Sequence, residues 1–249
     1  MGGALLGGWL SSGFDLDQIT VITPHPNNNF GVRVNPSIPY PVDIIVLAVK
    51  PQKLAEAIPQ IHPFIHKDTV FLSIAAGKTI AWLQAHLPPN SAVVRAMPNT
   101  PCEIGKGVTS MVAAPNVAPQ AVARCQALMQ AVGEVIILSD EALIDAATAV
   151  AGSGPAYVFY FVECLTQAGV QRGLAPADAA RLARGTVIGS GALLNDCDLS
   201  PSLLRQNVTS PNGVTAAALI PLMASDGLGK LMQDVIDAAI NKNQEMAKE

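Results

Sequence analysis

A short loop near the carboxyl end of the chain has the residue types of an anion-binding site. It runs Ser210-Pro211-Asn212-Gly213 and precedes a predicted helix over residues 216–223. The first amides of a helix lack acceptors within the helix, and the helix dipole is positive at that end, so together they attract negative charge. A small carboxylate fits such a site without any arginine. The alternative is a capped helix that binds no ligand.

Three other loops combine small residues with prolines or glycine and follow predicted strands. They are Ala48-Val49-Lys50-Pro51, Ala75-Ala76-Gly77 and the longer run Arg95-Ala96-Met97-Pro98-Asn99-Thr100-Pro101. Ligands of open α/β sheets bind outside the carboxyl ends of the strands, so we expect these loops at one edge of a sheet. Small residues there would let a flat nicotinamide ring approach the backbone, as hydride transfer at short range requires. Each loop alone could equally be a turn.

The glycine pair Gly2-Gly3 precedes an apolar helical segment and then a predicted strand over residues 19–23. This order is the second half of a βαβ dinucleotide-binding unit. The complete unit also has an earlier strand and two earlier glycines of the G-x-G-x-x-G pattern, so only its third glycine, Gly2, is represented. We therefore expect a Rossmann-like domain whose first strand is missing. A flexible terminus is the alternative for this glycine pair.

The end of the strand 19–23 bears on the choice between the two nicotinamide dinucleotides. An NAD-preferring site carries an acidic residue there to bind the ribose 2′-hydroxyl, whereas this chain has Thr23-Pro24-His25. Without a repelling carboxylate a 2′-phosphate is tolerated, which favours NADPH while leaving NADH open. The side chains that could contact the phosphate are those of Thr23, His25, Asn27 and Arg33. An Asn-rich turn without a ligand is the alternative.

The elements that must position these loops change in kind near residue 138. Before it, short β-branched runs alternate with helical or turn-rich links, which predicts a parallel sheet with crossover connections. The run 43–49 is apolar on both faces, as expected of a central strand that helices cover on both sides. The predicted strands are residues 19–23, 42–49, 69–74, 92–95, 108–112 and 135–138.

After residue 138 the strand signals stop, and the rest of the chain is predicted to be helical. Ser139 would cap a helix over residues 142–150, and the last segment, 228–240, has an apolar stripe that must pack on another helix of this chain or of a partner. Further helices would open at Pro155, Pro176 and Ser200-Pro201. The predicted fold class is α/β, with a Rossmann-like domain over residues 1–138 and an all-α domain over residues 139–249.

The composition indicates a self-associating chain. Half of the residues are hydrophobic and 14% are charged, against about 25% in an average soluble domain. No unbroken apolar run approaches the 18 or so residues of a membrane helix, and the longest candidate, 149–162, is interrupted by glycines and a proline. We therefore expect no membrane partner, and we expect the apolar surplus to be buried at a subunit interface.

The charge and the cysteines exclude other classes of protein. The net charge is −4 and the basic residues are scattered, which argues against a nucleic-acid partner. The 4 cysteines lie far apart with no C-x-x-C pair, which is typical of reduced thiols in a cytoplasmic protein. His62 and His66 are four residues apart, but Pro63 and the lack of a third ligand favour a surface pair, so no metal is expected.

Taken in order, these segments resemble the motif series of the pyrroline-5-carboxylate reductase family. The matching segments are Ala-Val-Lys-Pro-Gln at 48–52, Ser-Ile-Ala-Ala-Gly at 73–77, Met-Pro-Asn-Thr-Pro at 97–101, Gly-Ser-Gly-Pro-Ala-Tyr at 152–157 and Val-Thr-Ser-Pro-Asn-Gly-Val-Thr at 208–215. The resemblance runs along nearly the whole chain, and a fixed order of motifs is far more specific than a single glycine pattern.

The resemblance implies hydride transfer from NAD(P)H to the C=N bond of 1-pyrroline-5-carboxylate, which gives L-proline. Thr215 would then bind the ring nitrogen as the catalytic side chain. The substrate would be held by Ser210, Asn212, Gly213, Val214 and Thr215. The cofactor would be held by Gly2, Thr23, Ala48, Val49, Lys50, Pro51, Ala75, Ala76, Gly77, Met97, Pro98 and Asn99. Where the family usually has two glycines after the proline, this chain has Asn212 and then Gly213.

The family is built as homodimers through the helical domain, often assembled further into rings, with each active site drawing on two chains. The resemblance therefore implies that residues 139–249 serve dimerisation and substrate binding. Because the first strand is expected to be missing, an alternative is a non-catalytic or impaired paralogue that acts as a dimeric binding protein.

Overall fold

A mostly parallel sheet forms the centre of the amino-terminal part. The computed structural model describes residues 1–25, 31–36 and 40–248. β1 and β2 pair in parallel as a separate sheet, and β3 to β7 form a five-stranded sheet in sequence order. The strands are β1 (Thr20–Val21), β2 (Arg33–Val34), β3 (Ile44–Leu47), β4 (Val70–Ser73), β5 (Ala92–Met97), β6 (Gly107–Ala113) and β7 (Gly133–Ile137).

One strand pair departs from the predicted parallel arrangement. β5 and β6 run antiparallel, with Met97 opposite Ser110. The link between them, residues 98–106, is shorter than the dozen or so residues that a parallel crossover needs, so the chain must reverse direction there. β2 was not predicted, because its two residues are flanked by prolines and asparagines that indicate turns.

The most deeply buried strand of the sheet is not the strand predicted to be central but the next one along the chain. In the described part of the chain β3 is an edge strand, paired with β4 alone, and its residues alternate between half-buried and buried. All four residues of β4 are buried instead, and Phe71 and Leu72 are within 1% of complete burial. The prediction that 43–49 is central is therefore wrong for the described residues, since a central strand needs a partner on each side.

The first helix is fixed on the sheet by close packing at a glycine. The helices of this part are α1 (Gly2–Ser11), α2 (Leu54–Ile61), α3 (Ile80–His86), α4 (Pro119–Gln130) and α5 (Ile144–Ala147). A Cβ atom on Gly8 would lie 2.6 Å from both the Cys102 carbonyl oxygen and Val132 Cγ1, so no side chain fits there. Trp9 Nε1 also donates to the Leu128 carbonyl oxygen at 2.9 Å, which fixes α1 in register.

The carboxyl-terminal part is helical, as predicted. A π-helical turn, Thr148–Gly152, links α5 to the following helices. These are α6 (Gly154–Gln171), α7 (Pro176–Asp196), α8 (Pro201–Asn207), α9 (Val214–Leu222) and α10 (Leu228–Lys248). Ser200 caps α8 by accepting from the Leu203 amide at 3.3 Å, as predicted. The predicted cap at Ser139 is wrong: Asp140, one residue later, accepts from the Ala142 amide at 2.9 Å, and its carboxylate opens a 3₁₀ turn before α5.

The chain forms two compact units. One comprises residues 1–155 together with 239–249, and the other comprises residues 156–238. The predicted division at residue 138 follows the change in secondary structure, whereas compactness groups α5 and the π-helical turn with the sheet. The second unit leaves many large apolar side chains exposed, including Phe159, Tyr160, Ile188, Val214 and Ile220.

One stretch, Glu141–Gln171, is long and apolar enough to cross a membrane by length and composition alone. It includes the π-helical turn and the bend at Ser153, which lie at the predicted interruption. A single stretch of this kind is weak evidence for a membrane span, because the core helix of a soluble protein passes the same test.

Candidate active site

The first helix reaches the carboxyl end of β3 at Gly2. A Cβ atom on Gly2 would lie 3.1 Å from Ala48 Cβ and 3.5 Å from the Ala48 carbonyl oxygen. This close approach is what the third glycine of a dinucleotide-binding unit provides. Next to it, Ala48 and Lys50 are exposed, Val49 is half-buried, and Pro51 opens a 3₁₀ turn. The structure thus brings the predicted residues Gly2 and Ala48 together at the edge that is predicted to bind a dinucleotide.

The loop after β4 is tightly packed. Ala75 is buried, and Gly77 is buried with a left-handed φ of +72° that favours glycine. A Cβ atom on Gly77 would lie 3.2 Å from the Met246 carbonyl carbon, so the end of α10 packs directly on this loop. Ala76, between Ala75 and Gly77 in the chain, is half-buried. A ligand could therefore reach the backbone of this loop only on the side that α10 does not cover.

Asn99, in the loop after β5, holds two parts of the backbone together. Its Nδ2 donates to the Ala151 carbonyl oxygen at 3.0 Å, and its Oδ1 accepts from the Val108 amide at 2.9 Å. Asn99, Met97 and Pro98 are all buried. Each polar atom of the Asn99 side chain thus makes one hydrogen bond within the protein, and these bonds fix the orientation of the amide.

A buried ion pair lies beneath these loops, and sequence reasoning did not identify it. Arg95 is 3% exposed, and its Nη1 lies 2.7 Å from Glu141 Oε1. The same oxygen accepts from the Ile80 amide at 2.8 Å, at the start of α3. Arg95 Nε has no partner in the part of the chain that the structure describes. An arginine within the apolar run 92–97 was the available signal, because a buried charge requires a partner.

Of the predicted 2′-phosphate contacts, Thr23 and His25 follow β1, whereas Arg33 lies on β2 opposite Thr20. Asn35 is bonded to both backbone groups of Thr23, accepting from its amide at 2.9 Å and donating to its carbonyl oxygen at 2.7 Å. The Thr23 hydroxyl accepts from the His25 amide at 3.1 Å. Arg33 lies 3.6 Å from Asp17 and 5.4 Å from the centre of the Tyr40 ring. Asn27 lies outside the described residues.

The loop before α9 is a tight turn with a defined conformation. The Gly213 amide donates to the Ser210 carbonyl oxygen at 3.0 Å, and Asn212 has a φ of 58°. Proline followed by a residue with positive φ is the pattern of a type II turn, in which glycine or asparagine occupies the second central position. A Cβ atom on Gly213 would lie 2.2 Å from Ser210 Oγ. Asn212 thus adopts the conformation that a glycine would adopt, whereas a side chain at Gly213 would require the Ser210 hydroxyl to move.

The start of α9 presents unpaired donors. Within the described ranges, the amides of Val214, Thr215 and Ala216 have no acceptor, and the hydroxyl of Thr215 has no hydrogen-bond partner. Thr215 is half-buried and Val214 is 89% exposed. Convergent free amides at the positive end of a helix form an anion site, and the neighbouring hydroxyl is available to a second polar group of the same ligand. The predicted substrate residues therefore lie together in the second unit.

The thiols and histidines of the described residues form no metal centre. No group of three or more possible metal-ligating side chains is present in residues 1–25, 31–36 and 40–248. His66 Nδ1 accepts from the Asp68 amide at 3.2 Å, so the histidine at 66 has a local role. Cys102 and Cys125 are buried, and burial raises the pKa of Cys102 and raises that of Cys125 to about 11.

Known proteins share both the sequence and the fold. Residues 141–246 match the model of the family described as pyrroline-5-carboxylate reductase dimerisation. The chain is 34% identical over 258 aligned positions to the pyrroline-5-carboxylate reductase of Pseudomonas aeruginosa, covering 100% of this chain and 94% of that protein.

Solved structures agree with these matches. The pyrroline-5-carboxylate reductase of Coxiella burnetii superposes with a TM-score of 0.91 at 30% identity, covering 100% of this chain and 95% of that one. The pyrroline carboxylate reductase of Plasmodium falciparum, solved with NADP bound, superposes with a TM-score of 0.84 at 28% identity, covering 99% of this chain and 94% of that one. These similarities extend over both compact units.

Proposed function

Because the chain belongs to the pyrroline-5-carboxylate reductase family, we propose that it reduces the C=N bond of 1-pyrroline-5-carboxylate to give L-proline, the last step of proline biosynthesis. The observation that carries this proposal is the similarity over the whole chain to reductases of that name. These similarities do not favour the alternative of a binding protein without turnover. The chain is thus an oxidoreductase that acts on a small molecule, uses a nicotinamide cofactor and self-associates.

The loop before α9 is proposed to hold the substrate. The free amides of Val214, Thr215 and Ala216 would bind the carboxylate, with Ser210, Asn212 and Gly213 shaping the turn. The Thr215 hydroxyl would accept a hydrogen bond from the protonated ring nitrogen. A protonated imine is the better hydride acceptor, because the nitrogen then receives the electron pair of the C=N bond without developing a negative charge. Thr215 is the catalytic residue of this proposal.

The loops at the carboxyl ends of β3, β4 and β5 are proposed to hold the cofactor. Their residues fit a dinucleotide, since Gly2 packs closely against Ala48 and the predicted loops are built from small residues. The nicotinamide, when bound, supplies the hydride. The chain's own residues would orient the ring through the backbone of 75–77 and 97–99, and exclude water through buried Ala75, Met97 and Pro98.

We propose NADPH as the preferred reductant, with NADH also accepted. No carboxylate lies in residues 21–25, and Arg33 supplies a cation on β2, the parallel partner of β1. We further propose a cytoplasmic homodimer, capable of assembling into rings, with residues 1–138 as the cofactor domain and 139–249 as the dimerisation and substrate domain. The exposed apolar side chains of α6 and α7 support burial against a second copy.

The direct test is to incubate the purified chain with NADPH and racemic 1-pyrroline-5-carboxylate. We expect one proline to form per NADPH oxidised, followed by absorbance at 340 nm and by amino-acid analysis. Binding of both ligands without proline formation would favour the binding protein. A mock purification from the same host without this chain, measured in parallel, controls for a contaminating host reductase, since a contaminant would give the same rate in both preparations.

A further inference from the structure

The end of α10 lies against the loop that follows β4. A Cβ atom placed on Gly77 would be 3.2 Å from both the carbonyl carbon and the Cβ of Met246, and 3.3 Å from its carbonyl oxygen. Contacts of this length leave no room for a methyl group unless one of the two backbones moves. Residues 239–249 belong to the same compact unit as the sheet, so this contact lies within one unit.

A buried hydrogen bond holds this end of α10 in place. Asn243 is 7% exposed, and its Nδ2 donates to Asp145 Oδ1 at 2.6 Å. Asp145 lies in the first turn of α5. Such a bond to a charged acceptor is stronger than one between neutral groups, and removing the donor would leave a carboxylate poorly satisfied.

The same short segment also holds the other end of the loop. Glu141, four residues before Asp145, accepts from the Ile80 amide at the start of α3 at 2.8 Å. The loop 75–79 is therefore held from two sides, by the carboxylate of Glu141 after it and by the Met246 backbone against Gly77. Both contacts are anchored on residues 141–145.

We propose that Asn243 and Met246 are positioning residues for the nicotinamide cofactor. They act through Gly77: the Asn243–Asp145 bond holds the end of α10 against the loop 75–77 and keeps its backbone in the conformation that accepts the cofactor. This proposal rests on the proposed function, because it takes the loop 75–77 to be part of the cofactor site. It predicts that cofactor affinity depends on a residue near the end of the chain.

The variant Asn243→Asp tests the proposal by placing a second carboxylate against Asp145. We expect the affinity for NADPH, measured by fluorescence titration, to fall by about tenfold, the effect expected when a buried hydrogen bond is lost. The KM for 1-pyrroline-5-carboxylate and the kcat at saturating NADPH should stay within about twofold. Asn241→Ala, at an exposed position two residues earlier on α10, is the matched control and should change neither value.

The double variant Asn243→Asp with Asp145→Asn distinguishes positioning from a general loss of structure. It restores an amide-to-carboxylate pair with the donor and acceptor exchanged, so NADPH affinity should return to within about threefold of the original. Failure of this rescue in a folded, dimeric double variant would overturn the proposal, as would an unchanged affinity in Asn243→Asp.

Hydrogen–deuterium exchange on the unchanged protein gives a test that needs no variant. Saturating NADPH should slow amide exchange in residues 75–79 and also in 243–246. Slowing in 75–79 alone would contradict the proposed positioning of this loop by α10. It would leave the proposed cofactor site unaffected. Slowing in neither segment, together with an absence of proline formation, would instead contradict the proposed function.

Discussion

The side-chain amide of Asn99 bridges two segments that are far apart in sequence. Its Nδ2 lies 3.0 Å from the carbonyl oxygen of Ala151, 52 residues later in the chain. Ala151 belongs to the π-helical turn Thr148–Gly152, and this wider turn directs a carbonyl group away from the helix ladder. The loop after β5 and the π-helical turn, both within the first compact unit, are thereby fixed relative to each other.

Replacing Asn99 with alanine would leave two backbone groups unpaired, the Ala151 carbonyl and the Val108 amide. We expect the free energy of unfolding to fall by about 3 kcal/mol, because each buried unsatisfied group costs roughly 1–3 kcal/mol. Urea denaturation measures this loss. Asn116→Ala removes comparable bonds at a more exposed position and should cost less than about 1 kcal/mol. Equal losses in the two variants would contradict the bridging role.

Removing the Thr215 hydroxyl should lower turnover with little change in cofactor binding. We expect kcat to fall by about tenfold to a thousandfold in Thr215→Ala, the range found when a group that stabilises a transition state is lost. Steady-state kinetics with each substrate varied would measure it. Thr215→Ser keeps the hydroxyl and should retain most of the activity. Full activity in the alanine variant would remove Thr215 from the mechanism.

The turn before α9 gives a prediction about backbone conformation. Asn212 has a φ of 58°, so Asn212→Ala should destabilise the turn by about 1 kcal/mol and raise the KM for the imino acid. Asn212→Gly should leave both properties nearly unchanged, since glycine adopts this conformation without strain. Thermal unfolding and substrate titration of the two variants provide the measurement. A glycine variant as impaired as the alanine variant would show that the amide side chain itself contacts the substrate.

Arg33 provides a test of cofactor preference. If its guanidinium binds the 2′-phosphate, Arg33→Ala should reduce kcat/KM for NADPH by about tenfold, the effect of one charge-assisted contact, and leave the value for NADH unchanged. Arg124→Ala is the matched control, because Arg124 is equally exposed and lies 3.7 Å from a carboxylate. An equal fall with both cofactors would assign Arg33 to the fold alone, through its contacts with Asp17 and Tyr40.

Because the thiol of Cys125 is buried, we expect the free energy of unfolding to fall in alkaline solution. Burial raises its pKa from the ordinary value of 9.0 to about 11 in the folded chain. Above pH 9 the unfolded chain loses this proton while the folded chain keeps it, so stability is complete below pH 9 and falls as pH rises towards 11. We expect Cys125 to contribute about 2 kcal/mol to this fall. Denaturation at pH 8 and at pH 10.5 should show a smaller pH dependence in Cys125→Ala, and an identical dependence would contradict the prediction.

The sequence predicted the elements whose signals are local. Pro176 opens α7, Ser200 caps α8, and the turn at 210–213 precedes α9, because proline and capping side chains act within a few residues. The residues 75–77 were likewise predicted to form a loop after a strand, and they follow β4. These features required no knowledge of the rest of the chain.

Features that depend on distant contacts were not predictable in the same way. Arg95 and Glu141 are 46 residues apart, and Asn243 and Asp145 are 98 apart, so neither pairing follows from spacing. Asn99 was correctly assigned to a loop at the sheet edge, but only the fold shows that both atoms of its amide are occupied. The antiparallel β5–β6 pair was not predictable either, since the predicted strands 92–95 and 108–112 leave about a dozen residues between them, enough for a parallel crossover. Only the observed strand ends shorten this link to residues 98–106.

The apolar side chains that the second unit leaves uncovered have a thermodynamic consequence for the chain as a whole. When a partner copy buries such surface, assembly adds to the stability of the folded state by mass action. The melting temperature should then rise with protein concentration, and dilution alone should promote unfolding. The abundance of the chain is thus itself one of the conditions that keep it folded.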